Sequence, residues 1–594
     1  MRPEGAGYNA PNAEGPRRVW APSLSGARSY RVARAVLVNL LRFVALIGGL
    51  VFVHELGHFA WAKIFNVKVL KFSLGFGPRV IGYRHQETDY CVSLIPLGGF
   101  VKMLGEDPSD HIAPEDVPRS FHRQALWKRF LIVLAGPLMS LMFPVLLYFV
   151  VFLGQTDLTP PVIGTVVPGY PAENRLMPGD RVLAVDGRTV GSFQDVRDAV
   201  SAAPAREMRF DVQRGDQHLT VRVTPESVRI ERPLDITETV GRAGISAGFA
   251  LPVIGVRGPN VPAWVSGLRT FDLVTMYAGN PIRRWIDLER VLQASRGATV
   301  PLGFLRPRVV SDALGGLCDL EVFDPGLAQI TPEPGTGEVL RRTGIEPADL
   351  YVADVSPDSP EYQMGLRRGA RVVSVDGEAP PSWERFHERI MSGGRQLRSL
   401  RFLHEGRESQ GAFSLRPTSW TDEFGQRYVR LAFETGHWVP TDADAPIENP
   451  SPTTYALRNA MRETSEAMRF LSTGIVRVLQ GRVSIQTVGG PIMIYDVTRS
   501  TASDGPWGFL WLMALVSINL GLINLLPIPT LDGGHLMFFA VEGVIRRPVP
   551  LWIRQTASVL GLLLVLGVML IAFKNDLQRK FGNTQPIVVT APTR

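Results

Sequence analysis

The chain has 594 residues, of which 45% are hydrophobic, and it carries a formal net charge of +7. This length exceeds what one hydrophobic core supports, so several domains are expected. Two cysteines, Cys91 and Cys318, exclude a disulfide framework. The basic residues form no stripe interleaved with aromatics, which argues against a nucleic acid partner.

The first 35 residues are rich in glycine, proline and arginine and lack the small-residue cleavage site of a secretory signal peptide. We expect a disordered extension that runs into a retained membrane span. Apolar runs predict four transmembrane helices, at 36–62, 130–154, 507–526 and 556–573. The expected fold class is therefore a polytopic α-helical membrane protein.

Basic residues in the loops predict the orientation of these spans. The loop between the first two spans is rich in lysine and arginine, and the loop between the last two carries Arg546, Arg547 and Arg554. Both loops should therefore be cytoplasmic, which leaves the long segment between the second and third spans outside, together with both termini. The basic tail at the N-terminus opposes this assignment.

A β-loop is predicted after the first span. Tyr90, Val92 and Leu94 alternate with neighbours of the opposite face, and glycines stand before and after them. A free strand edge here would accept an extended substrate as another strand. The alternative is an ordinary hairpin that covers the site.

The long outer segment repeats itself three times in one register. Each repeat predicts a strand, a glycine turn and a short helix buried on one face. The shared positions are the leading leucines Leu176, Leu268 and Leu366, the glycines Gly187, Gly279 and Gly377, and the aromatics Phe193, Trp285 and Trp383.

Two of these repeats have Pro-Ala shortly before the leading leucine, at Pro171 and Pro262, and on these residues the repeats resemble bacterial PDZ domains. The third repeat has Pro360 followed by Glu361, and the second lacks the usual glycine beside Asp272, so the resemblance leaves peptide binding open. The alternative is that the repeats are spacers.

Beyond the repeats, a linker precedes a stripe of apolar residues that predicts an amphipathic helix: Leu457, Met461, Met468, Leu471, Ile475 and Val478. The expected organisation follows. It comprises a disordered extension (1–35), spans one and two with the β-loop (36–154), three PDZ-like modules (155–230, 250–325 and 345–420), linker and amphipathic helix (440–480), spans three and four (481–573) and a tail (574–594).

The first span contains the sequence VFVHELGHFAWAK, in which His54 and His58 lie four residues apart and face the same way on a helix. Two such imidazoles can bind one zinc ion, and Glu55 lies beside them as a general base. Ionisable groups in a span are costly and usually functional, which favours metal chemistry over a packed polar cluster.

A zinc hydrolase needs a third protein ligand and one open position. The third span ends in NLLPIPTLDGGHLMF, where Asp532 follows two helix-breaking prolines and precedes Gly533 and Gly534, which would free the backbone to turn the carboxylate inward. His535 is the competing ligand.

The HExxH sequence, the NxxPxPxLDG sequence from Asn524 to Gly533 and the PDZ-like repeats together resemble the site-2 protease family of intramembrane zinc metalloproteases. The resemblance implies that His54, His58 and Asp532 bind Zn²⁺, that Glu55 is the catalytic base and that Asn524 holds the substrate.

The same resemblance implies a bacterial inner membrane location, with the modules on the periplasmic side and the active site near the cytoplasmic face. Its expected substrates are single-pass membrane proteins such as anti-sigma factors, and remnant signal peptides, after a first cut by a site-1-type protease. Two features depart from the family: Ser140 replaces the usual asparagine, and there are three PDZ-like units where well-known relatives have two.

Three rival functions make different demands on the sequence. An inactive membrane-anchored PDZ scaffold should have lost a metal ligand or the glutamate, and none is lost. A transporter should show an internal membrane repeat, which four spans do not provide. A soluble protease on a tether fails because the HExxH helix is itself a span.

Overall fold

A computed structural model of the chain describes residues 24–581 apart from 107–111, 233–235, 296, 313–317, 336–337, 393–395, 422–426, 436–441, 484, 486–487 and 502–504. The chain divides into two compact units. The helical unit comprises the described residues of Met1–Val151, Leu457–Ser472 and Gly489–Asn583, and the sheet unit those of Phe152–Ala456 and Thr473–Val488.

The helices follow in chain order. They are α1 (Leu24–Ile64), α2 (Leu126–Leu153), α3 (Phe193–Ser201), α4 (Pro262–Val265), α5 (Trp285–Ala294), α6 (Val339–Thr343), α7 (Pro360–Gln363), α8 (Trp383–Ser392), α9 (Pro452–Leu479), α10 (Pro491–Thr501), α11 (Pro506–Asn524), α12 (Asp532–Ile545) and α13 (Leu551–Phe581). Short 3₁₀ turns lie at Pro114–Arg119, Phe121–Arg123 and Ala348–Leu350.

The strands are mostly short. They are β1 (Val69–His85), β2 (Thr88–Met103), β3 (Asp157–Leu158), β4 (Thr165–Val166), β5 (Arg181–Val185), β6 (Arg188–Thr189), β7 (Met208–Arg214), β8 (Gln217–Val223), β9 (Glu226–Arg232), β10 (Ile236–Arg242), β11 (Ile245–Ser246), β12 (Gly248–Phe249), β13 (Ile254–Val256), β14 (Leu273–Tyr277), β15 (Asn280–Pro281), β16 (Val300–Asp312), β17 (Cys318–Ile330), β18 (Ile345–Pro347), β19 (Val352–Val355), β20 (Arg371–Val375), β21 (Arg398–His404), β22 (Arg407–Phe413), β23 (Arg416–Thr421), β24 (Arg427–Arg430), β25 (Phe433–Thr435), β26 (Asp442–Ala443) and β27 (Ile447–Glu448).

Four helices of the described chain are long and apolar enough to cross a membrane: Leu37–Ile64, Leu126–Leu153, Gly505–Asn524 and Leu551–Phe581. They confirm the four predicted spans. Helix α1 begins at Leu24, so part of the extension that was predicted to be disordered is helical. Residues 1–23 and the predicted tail beyond Phe581 lie outside the described residues.

The predicted β-loop is the hairpin β1–β2 in the helical unit. Residues 71–74 of β1 pair with 99–102 on one side and with 89–92 on the other, while 79–85 pair with 88–93. Both strands bend at a glycine of positive φ, Gly75 in β1 and Gly98 in β2. Each strand therefore contributes two antiparallel segments to the sheet, and these four segments are called rows. The outer rows are 79–85 and 99–103.

Part of this hairpin, around residues 91–94 of β2, buries polar groups and exposes apolar ones. Ser73, Cys91 and Ser93 are buried, and the Ser73 hydroxyl hydrogen-bonds to both Cys91 Sγ and Ser93 Oγ, whereas Val92 is 43% and Leu94 63% exposed. A sheet in water would show the opposite alternation. Residues 91–94 of the hairpin therefore show the inverted alternation.

In the sheet unit, each predicted repeat folds as a strand, a glycine turn and a helix with its own core. The sheets run β6-β5-β7-β8 with α3, β15-β14-β16-β17 with α5, and β20-β21-β22 with α8. The helices begin at the shared aromatics, and the shared glycines have φ of 77°, 85° and 86°. Each core also uses residues beyond the predicted ends at 230, 325 and 420: Ala243, Ile345 and Phe433 respectively.

The predicted apolar stripe on α9 is partly buried in its C-terminal part, at Met468, Leu471, Ile475 and Val478, but it is exposed at its N-terminal end. Leu457 is 50% and Met461 59% exposed, whereas Ala456 and Ala460 are fully buried. Thr464, which interrupts the stripe, is buried and donates its hydroxyl hydrogen to the Ala460 carbonyl (2.7 Å). Small side chains allow close backbone contact, so packing here follows size and not hydrophobicity.

Candidate metal centre

Helix α1 supplies three of the predicted site residues. His54 and His58 are 6% and 8% exposed, and their ring centroids are 5.0 Å apart. One helical turn separates them, so both imidazoles leave the same side of α1. The neighbouring residue Glu55 is partly exposed. It lies next to the outer row 99–103 of the hairpin, since a Cβ on Gly99 would come within 3.2 Å of Glu55 Cγ.

The other end of the chain supplies the carboxylate. Helix α11 ends at Asn524, and the turn that contains Pro527 and Pro529 leads to α12, whose first residue is Asp532. The partial positive charge of a helix N-terminus stabilises a carboxylate at this position.

The two glycines after Asp532 have a different role from the one predicted. Neither has a positive φ; both lie in the first turn of α12. A Cβ on Gly533 would lie 2.2 Å from the Leu526 carbonyl oxygen, and one on Gly534 would lie 2.3 Å from the Ile528 carbonyl oxygen. These glycines therefore let the helix pack against the preceding turn.

Three of the predicted site residues converge in the structure. His54 Nε2 lies 3.0 Å from Asp532 Oδ2 and 3.3 Å from His58 Nε2, and His58 Nε2 lies 3.6 Å from Asp532 Oδ1. Asn524 Nδ2 lies 3.4 Å from His54 Nε2. Among the described residues, His54, His58 and Asp532 are the group whose ligand atoms could hold a metal ion. His535 is outside this group and its side chain is exposed.

This donor set fits zinc. Two imidazole nitrogens and one carboxylate oxygen leave the fourth tetrahedral position open, as in hydrolytic zinc sites. Ligand atoms about 2.0–2.1 Å from a tetrahedral ion are roughly 3.3 Å apart, which matches the spacing of these three side chains. Space for the group depends on Gly136 of α2, where a Cβ would lie 2.2 Å from His58 Nε2 and 2.9 Å from His54 Nε2.

Helix α2 also contacts the far side of both rings. The Ile132 carbonyl oxygen lies 2.9 Å from His58 Nδ1, and Ser140 Oγ lies 3.0 Å from His54 Nδ1. Residues 132, 136 and 140 are one turn apart on a single face of α2. The sequence prediction assigned no site role to Ile132 or Gly136. For Gly136, the one signal in the sequence was a small residue within an apolar span.

A model of peptidase family M50 matches residues 42–568. The chain belongs to peptidase family M50. It is therefore a site-2-type metalloprotease, as the sequence motifs predicted, and its four apolar helices make it a multi-pass membrane protein.

Relatives of this M50 protein match more than nine-tenths of its length. A Vibrio cholerae protein named as a zinc metalloprotease is 28% identical over 550 residues, which cover 92% of this chain and 99% of the relative. The regulator of sigma-E protease RseP of Salmonella typhimurium is 26% identical over 551 residues, with the same coverage. That of Escherichia coli is 25% identical over 547 residues, covering 91% of this chain and 99% of the relative.

Proposed function

We propose that this intramembrane zinc metalloprotease hydrolyses peptide bonds within the transmembrane segments of single-pass membrane proteins. The observation that carries the proposal is the convergence of His54, His58 and Asp532, from opposite ends of the chain, beside Glu55. In this proposal His54, His58 and Asp532 are the zinc ligands. When bound there, zinc would polarise the scissile carbonyl and activate a water molecule.

Glu55 acts as general base and acid. It accepts a proton from the attacking water and passes it to the leaving amine. Its partly exposed position at the outer row of the hairpin supports this role, because a substrate strand along that row would bring its carbonyls past Glu55. Asn524, next to His54, would hold the substrate backbone.

Strand addition offers a way to unwind the substrate helix, whose carbonyls are otherwise engaged in its own hydrogen bonds. The outer row 99–103 of β2 pairs on one side only, with 69–74 of β1. We propose that an extended substrate adds along its other side, next to Glu55.

The three repeats of the sheet unit are proposed as PDZ-like modules on the periplasmic side of the inner membrane, where they admit substrates that a site-1-type protease has already shortened. Relatives named regulators of sigma-E protease support anti-sigma-factor-like substrates, with remnant signal peptides as a further class. The active site would lie near the cytoplasmic face.

The decisive experiment is cleavage of a tagged single-pass substrate with a short outer stub, in cells that express either the natural chain or Glu55→Gln at matched levels. Cleavage should disappear in Glu55→Gln while the protein keeps its zinc. Equal cleavage by both chains would reject the assigned mechanism. A natural chain that binds no zinc and cleaves neither this substrate nor a panel of shortened ones would instead be the inactive scaffold.

A further inference from the structure

Ser140 contacts two other helices of the metal centre, by two different groups. Its hydroxyl oxygen lies 3.0 Å from His54 Nδ1 on α1, and its backbone carbonyl accepts a hydrogen bond from the Ser517 hydroxyl on α11 (2.7 Å). Ser140 is fully buried, and Ser517 is 1% exposed. The contact is therefore dry and joins α1, α2 and α11.

The Ser140 carbonyl lacks its usual donor within α2, and the sequence of the helix explains why. In an α-helix the carbonyl of Ser140 would accept from the amide of residue 144, but that residue is Pro144, which has no N–H. The Ser517 hydroxyl replaces the missing donor. This bond fixes Ser140 relative to α11, the helix that ends at Asn524.

The second histidine shows what such a contact does. The Ile132 carbonyl can only accept, so His58 Nδ1 carries the hydrogen, and in the neutral ring that binds a metal His58 Nε2 then presents its lone pair. That lone pair points toward Asp532 and His54 Nε2. For His54 to bind the same ion through Nε2, its Nδ1 must also carry a hydrogen, and that hydrogen needs an acceptor in a buried place.

We propose that Ser140 is the positioning residue of His54: its hydroxyl accepts the Nδ1 hydrogen, fixes the tautomer and the ring orientation, and so directs Nε2 to the metal. Ser517, through the Ser140 carbonyl, holds this acceptor in place. Partners of this kind typically change metal affinity by about 10- to 100-fold when they are removed. The inference rests on the proposed zinc site.

The test measures zinc affinity of the purified full-length protein by chelator competition, together with thermal melting of the zinc-free protein. Ser140→Ala removes the acceptor. The matched control is Thr498→Val, which removes another buried hydroxyl of the helical unit, one that donates, among the described residues, to the Ile494 carbonyl of its own helix. Ser140→Asn offers an amide oxygen in place of the hydroxyl.

We expect Ser140→Ala to bind zinc about 10- to 100-fold more weakly, with zinc-free melting equal to that of Thr498→Val. Thr498→Val should keep the natural affinity, and Ser140→Asn should regain most of it. Natural affinity in Ser140→Ala, or a loss that accompanies a lower zinc-free melting temperature than that of Thr498→Val, would overturn the inference. So would alanine-like affinity in a Ser140→Asn protein that melts normally. Absence of zinc binding by the natural chain would reject the metal site itself.

Discussion

Two glycines of the helical unit are required because atoms of neighbouring helices occupy the space of a Cβ. A Cβ on Gly57 would lie 2.4 Å from the Ala135 carbonyl oxygen, and one on Gly136 would lie 2.2 Å from His58 Nε2. Helices α1 and α2 therefore approach closely at the level of the metal centre, which is the usual effect of small residues between membrane helices.

Gly136→Ala is predicted to abolish zinc binding and cleavage, because the added methyl group overlaps the imidazole of His58. Zinc content and substrate cleavage measure the effect. The control is Gly48→Ala in α1, where nothing lies within 4 Å of the added Cβ. A Gly136→Ala protein with a full complement of zinc would contradict the described approach of α2 to the histidines.

At the scale of the element, the three repeats differ in one buried contact. Asp180 accepts two hydrogen bonds of 2.7 Å from Arg214 in the first repeat, and Asp272 accepts two of 2.8 Å from Arg306 in the second. Both carboxylates are fully buried. The third repeat has Ala370 at the equivalent position and depends on apolar packing alone there.

Asp180→Asn is predicted to destabilise the first repeat by about 1–3 kcal/mol, because one of the two buried oxygens that accept hydrogen bonds from the partly exposed Arg214 becomes an amide nitrogen, which cannot accept. Hydrogen exchange of the strands β5 and β7 in the full-length protein measures the loss as lower protection. The exposed Asp216 provides the control substitution Asp216→Asn, which should leave protection unchanged. Equal protection in Asp180→Asn would show that the ion pair contributes no stability.

The helix α8 of the third repeat carries a pH-sensitive contact at its N-terminus. Burial and, to a smaller extent, the nearby Glu384 carboxylate raise the pKa of Asp349 to about 6, although the Trp383 amide donates to Asp349 Oδ2 (3.1 Å) and opposes the increase. Between pH of about 4 and 6 the folded chain then binds more protons here than the unfolded chain does. The stability of this repeat therefore falls as the pH rises through that window.

We predict greater protection of α8 from hydrogen exchange at pH 4.5 than at pH 7, after correction for the intrinsic exchange rate. Asp349→Asn should remove most of this difference, because the amide oxygen keeps the bond to Trp383 without a charge. Asp358→Asn, at an exposed position nearby, should retain it. An unchanged pH dependence in Asp349→Asn would assign the effect to another group.

At the scale of the whole molecule, the proposed orientation places the repeats and the loop between α12 and α13 on opposite sides of the membrane. Single cysteines test this in a chain whose Cys91 and Cys318 are replaced by serine. Asp216→Cys should react with an impermeant thiol reagent in intact spheroplasts, and Arg547→Cys should react only after permeabilisation. The reverse pattern would invert the topology. Both positions are exposed.

Local patterns in the sequence determined much of this protein. The spans, the HExxH helix and the three strand, turn and helix repeats each depend on residues close together in the chain, whose periodicity reports a face or a bilayer. The motif around Asp532 also identified the family that the comparison confirmed.

The tertiary structure decided which distant residues meet. It brings Asp532 and not His535 to the histidines, and it places Gly136 and Ser140 against their rings. At the N-terminal end of α9 it buries the small residues Ala456 and Ala460 and leaves Leu457 and Met461 of the predicted stripe exposed. These outcomes depend on space and hydrogen-bond partners supplied by helices far away in the chain, which a local pattern does not record.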